Sequence, residues 1–143
     1  MATTTASVTL SSDLLSDALN VSASTTCVKG GTTADGLDQM DYGYIDIATG
    51  TNFDLLDANN SGLNNDKANK VYIANHSTDD TFYVVISIDT IVIGRLYAGD
   101  WMFIPWGSAD QHDDIEIQAN GGTNTICYAY FHEGRTLVTA ADS

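Results

Sequence analysis

Residues 57–62 come nearest to a chemical site. Asp57-Ala58-Asn59-Asn60-Ser61-Gly62 places oxygen-bearing side chains at positions 1, 3 and 5 of a calcium loop, with glycine at position 6 where such loops turn sharply. A bidentate carboxylate at position 12 normally closes the coordination shell, and position 12 here is Ala68. Asp66, at position 10, would serve only in a different geometry, and no flanking helix is expected. Asn, Asp and Gly also gather in ordinary loops, because they tolerate left-handed backbone and bond their own main chain. Asp57, Asn59, Ser61 and Asp66 therefore form an incomplete calcium loop.

The other reactive residue types do not converge in sequence. His76, His112 and His132 occupy separate turns with no i, i+4 or H-x-H pairing, so they read as surface loop histidines rather than zinc ligands. Serine and threonine abound, but no Gly-x-Ser-x-Gly elbow is present. Asp79-Asp80 and Asp113-Asp114 are adjacent, so on a strand each pair would point apart instead of sharing one proton. Cys27 and Cys127 sit in strand-like surroundings and read as two buried free thiols, a long-range disulfide being the alternative. The expectation is a protein that is not an enzyme, with no catalytic residues and no cofactor.

Charge excludes further classes. Nineteen acidic residues face five basic ones, a net charge of −14. A phosphate backbone would be repelled, since nucleic-acid affinity needs Lys and Arg to displace counterions. Apolar runs such as residues 82–86 are far short of the roughly 20 residues that span a bilayer. Met1-Ala2-Thr3-Thr4-Thr5 lacks the basic and apolar regions of a secretory leader. Neither a nucleic-acid nor a membrane partner is expected.

The elements that would position any site are β-strands. Residues 70–131 read as a sandwich core, with strands near 71–74, 81–88, 91–97, 101–105, 114–119 and 125–131. Val84, Ile86 and Ile88 alternate against Tyr83, Val85 and Ser87, and Ile115, Ile117 and Ala119 against Asp114, Glu116 and Gln118. Asp89-Thr90 and Ala98-Gly99-Asp100 supply tight turns, and Gly94 suggests a bulge or a close backbone approach. Residues 125–131 are apolar on both faces, as in a covered strand or a subunit interface. Residues 37–69 read as one strand over 42–47 and a long polar loop over 54–69, and residues 132–143 as a tail.

Residues 1–36 stand apart, with Ser or Thr at fourteen positions. The stretch over 13–19 is compatible with one or two helical turns, but an extended arm or hairpin fits the flanking alternation better. So thinly apolar a segment cannot offset its ordering entropy alone, and Val8, Leu10, Leu14 and Leu19 are its candidate partner contacts. In Trp101-Met102-Phe103-Ile104-Pro105-Trp106 both pleat faces are large and apolar. One face must be core; Trp101, Phe103 and Trp106 are candidates for a partner interface, or for a platform that stacks on sugar rings. The class is all-β: an antiparallel β-sandwich or jelly-roll-like domain with an extended N-terminal arm.

The runs Ala68-Asn69-Lys70-Val71-Tyr72-Ile73-Ala74-Asn75-His76-Ser77 and Ile93-Gly94-Arg95-Leu96-Tyr97-Ala98-Gly99-Asp100-Trp101, the latter continuing to Trp106, resemble small virion structural proteins of tailed phages infecting cyanobacteria and marine bacteria. Ala6-Ser7-Val8-Thr9-Leu10-Ser11-Ser12-Asp13-Leu14 and Gly36-Leu37-Asp38-Gln39 extend the resemblance over most of the chain. It implies a capsid decoration, or cement, protein: a small acidic oligomer, dimer or trimer, bound to the major capsid protein on the virion exterior. Such a protein is made in the host cytoplasm and not secreted. A tail- or fibre-associated component, or a carbohydrate-binding module, is the alternative.

Overall fold

Alternation of apolar and polar side chains builds this molecule. The computed structural model describes residues 4–14, 16, 19–29, 36–37, 39–50, 52–57, 69–107 and 114–132. They form β1 (Thr4–Ser12), β2 (Leu19–Cys27), β3 (Gln39–Ala48), β4 (Phe53–Leu56), β5 (Asn69–Asn75), β6 (Tyr83–Ile88), β7 (Ile91–Tyr97), β8 (Trp101–Trp106), β9 (Ile115–Ala119) and β10 (Thr123–His132). Two four-stranded sheets, in orders β3-β10-β5-β8 and β4-β9-β6-β7, are antiparallel throughout and pack as sandwich-like layers. Among the described residues there is no helix.

The pairings are nested. β6 pairs with β7, β5 with β8, β4 with β9 and β3 with β10, so the chain doubles back on itself about Asp89-Thr90. Asp89 turns the chain there with φ of 55°, a region Asp tolerates better than most residues. Ile93 is left over where the β6–β7 register shifts, which places a bulge beside Gly94. No atom crowds Gly94, so the close approach is not found.

Val71, Ile73, Ile126, Tyr128 and Tyr130 from one sheet meet Val84, Ile86, Ile115 and Ile117 from the other, all at most 1% exposed. Burying each such side chain stabilises the fold by about 1.5–3 kcal/mol. The core reaches outside residues 70–131. β3 pairs with β10 along its whole length, and β4 contributes Leu55 and Leu56, both fully buried. Residues 54–56 thus belong to a strand, where the start of a loop over 54–69 was expected. The register shift between Asp54 and Leu56 lets consecutive leucines both bury, which erases the two-residue period.

The N-terminal hairpin is a separate two-stranded sheet, in register from Thr4 opposite Cys27 to Ser12 opposite Leu19. Opposed residues share a face. One face carries Ala6, Val8, Leu10, Leu19, Val21, Ala23 and Cys27; the other carries only Ser, Thr and Asn side chains, from Thr5, Ser7, Thr9 and Ser11 across to Asn20, Ser22, Ser24 and Thr26. Its root is tied down by the Leu37 amide donating to the Cys27 carbonyl at 3.0 Å, with both residues buried.

Candidate functional site

The outward face of the β3-β10-β5-β8 sheet is the most unusual surface among the described residues. The register turns Met40, Tyr42, Tyr44 and Asp46 of β3 outward, beside Cys127, Ala129 and Phe131 of β10. Lys70, Tyr72 and Ala74 of β5 and Trp101, Phe103 and Pro105 of β8 complete it. An outward face of an antiparallel sheet is usually polar; this one has a single carboxylate and a single amine. Met40 and Tyr42 are 58% exposed, Tyr44 and Trp101 51%.

The rings are organised in pairs. Tyr72 lies 6.3 Å from Trp101 and Phe103 6.5 Å from Phe131, both tilted, while Tyr44 meets Tyr42 and His76 edge-on at 5.6 Å each. Hydrogen bonding with Tyr42, then with Cys127, pushes the Tyr44 phenol up to about 12. Tyr44 therefore stays neutral at any physiological pH. Thr4 to Val8 of β1 stand over part of this face and enclose with Tyr72, Trp101, Phe103 and Phe131 an open cavity of about 310 Å³.

The residues singled out in the sequence divide between this surface and the interior. Trp101 is half exposed, Phe103 is half-buried beside it, and Val8 lines the cavity above. Leu10, Leu19 and Leu14 are 51%, 50% and 89% exposed on the hairpin. Trp106 corrects its expected place at an interface: it is 2% exposed and meets Tyr130 edge-on at 5.2 Å within the core. β8 runs on through Pro105 as a sheet edge, so the period set by Met102 and Ile104 turns Trp106 inward. Met40, Tyr42 and Tyr44 were not singled out; their every-second-residue spacing was the available signal.

His132 is a second correction, for it is buried at the end of β10. Its Nε2 lies 3.1 Å from the Asp41 carboxylate and its ring stacks on Tyr130 at 4.6 Å. His76 is an exposed loop residue, and His112 lies outside the described residues. Asp57 is half-buried just after β4; Asn59, Ser61 and Asp66 lie outside the described residues. Cys27 and Cys127 are both buried free thiols. Among the described residues no three His, Cys, Asp or Glu side chains converge as a metal set, and no helix is long and apolar enough to cross a membrane.

The opposite sheet is more ordinary. Glu116 faces Asp54, with Asp114 and Asp89 nearby; burial first, then these carboxylates, raises its pKa. Among the described residues its apolar features are the β7 edge, where Ile91, Val92 and Ile93 are exposed, and the Tyr83–Tyr97 ring pair at 5.1 Å, with the Arg95 guanidinium over Tyr83. The chain matches no family model, no curated protein and no solved structure. Function must therefore be argued from the surface itself, which offers neutral apolar area and ring faces.

Proposed function

We propose that this chain is a non-enzymatic virion structural protein, a capsid decoration protein that binds the outer surface of the major capsid lattice and stabilises it. The observation that carries the reading is the aromatic, nearly charge-free sheet face with a coreless hairpin beside it. Exposed Trp, Tyr and Met on a rigid sheet are what association hot spots are made of. A hairpin of two strands is marginal alone in water and gains stability against a partner. The strand orders and nested pairing support reading the sandwich as jelly-roll-like, an architecture found in viral shell proteins. The resemblance to phage virion proteins points the same way.

A reconstruction of the particle carrying this chain should show the sandwich on the shell exterior. Density in the tail would select the tail- or fibre-associated reading, and absence from the particle would end the proposal. Trp101→Ala should weaken attachment to capsids by at least about tenfold, the usual cost of truncating an interface tryptophan. The ring-lined cavity also suits a sugar. Glycan binding lost in Trp101→Ala, with capsid attachment intact, would select a carbohydrate-binding module instead.

A further inference from the structure

Two copies of a chain with net charge −14 repel each other, so self-association must use surfaces that carry almost no charge. Two such surfaces stand side by side here. β1 and β2, nine residues each, contain no Asp, Glu, Lys, Arg or His. The outward face of the β3-β10-β5-β8 sheet carries only Asp46 and Lys70, of opposite sign.

The hairpin is only half seated on that face. Its apolar side is covered at the root, where Thr4, Ala6 and Val8 are half-buried and Cys27 is buried. The same side continues outward through Leu10, Leu19 and Val21, which are 51%, 50% and 41% exposed. The sheet face is half used in the same way. Tyr72, Phe103 and Phe131 lie under β1 and are half-buried, whereas Met40, Tyr42 and Tyr44 remain exposed on β3, the terminal strand of its sheet. At the root, then, the hairpin's apolar side already stands against this sheet face across a shared cavity, while Ala23 on the same side is still exposed.

We infer that the unseated halves meet between two copies: the distal part of one hairpin, Leu10, Leu19 and Val21, covers the Met40-Tyr42-Tyr44 stripe of the next copy. The joint links unlike surfaces, so it closes either by reciprocal exchange as a twofold dimer or head-to-tail as a ring. This rests on reading the chain as an assembly protein and adds which surfaces join.

The test uses the isolated full-length protein. Light scattering at micromolar concentrations should give a small multiple of 15.3 kDa. Leu10→Asp and, separately, Tyr42→Asp should each weaken that assembly at least about tenfold, with the unfolding transition of the sandwich unchanged. Because a charged hairpin could unfold locally, cross-linking provides an independent reading. Val21→Cys protein and Tyr42→Cys protein, one bearing a size tag, should form the mixed disulfide when combined; the native thiols are buried and do not compete. Val21→Cys with Val92→Cys should give none. A monomer at these concentrations, an oligomer indifferent to both Asp variants, or equal cross-linking to Val92→Cys would each overturn the inference. No capsid is involved, so a monomer that still attaches to capsids would overturn this inference and leave the decoration reading standing.

Discussion

Asn75 is a single side chain that ties three turns together. Its Nδ2 donates to the Leu96 carbonyl at 3.0 Å and to Asn124 Oδ1 at 3.4 Å, and its Oδ1 accepts from the Ser77 amide at 3.0 Å. Asn75→Leu keeps the volume and orphans these buried groups, so it should cost about 2–4 kcal/mol and lower Tm by roughly 6–12 °C. Gly43 carries a steric constraint: a Cβ there would sit 2.8 Å from the Tyr128 hydroxyl. Gly43→Ala should destabilise by about 1–3 kcal/mol through overpacking, measured by denaturant unfolding. Glu116 works in the opposite sense. A carboxyl whose folded pKa is raised binds its proton more tightly folded than unfolded, so its penalty is present above the folded pKa and relieved as pH falls below the unfolded value. Glu116→Gln should raise Tm at pH 7 by roughly 1–3 °C, and that gain should vanish near pH 4.

At the scale of elements, the hairpin is separable from the sandwich sheets, since among the described strands β1 and β2 form a ladder only with each other, the Leu37–Cys27 bond tying down the root. Deleting residues 1–36 should leave a folded sandwich by circular dichroism, while removing oligomer formation and most capsid affinity. Full binding and unchanged size after the deletion would shift the interface wholly to the aromatic face. Most strands were legible because one buried face imposes a two-residue period, as in Val84-Ile86-Ile88 and Ile115-Ile117-Ala119. β4 was not, because its bulge buries both Leu55 and Leu56 and breaks that period. Trp106 was placed outside because proline reads as a strand end, whereas an edge strand accommodates Pro105 without losing a ladder bond. The aromatic face was half legible. Trp101 and Phe103 stood out by type, but Tyr42 and Tyr44 join them only through the pairing of β3 with β10, which no local pattern reports.

The whole molecule is governed by its charge. At −14, each copy resists another until salt screens the field. Raising NaCl from about 0.02 to 0.3 M shortens the Debye length from roughly 20 to 6 Å. The self-association constant should therefore rise with salt when followed by light scattering. A nucleic-acid binder behaves in the opposite way, and this protein should pass unretained through immobilised DNA at moderate salt.

The nesting of strands about Asp89-Thr90 also sets a timetable for synthesis. Ala48 closes its ladder against Thr123, and β10 is the last described strand to leave the ribosome. At about 5–20 residues per second, the end of β3 waits roughly 4–15 s for its partner. During that interval Tyr42, Tyr44 and Ile45 are exposed on a strand with nothing to pair with, while β6 and β7 can already close around their two-residue turn. The sandwich thus matures from its middle outward, and the strand that frames the aromatic face is the one left open longest to chaperones or to a neighbouring chain.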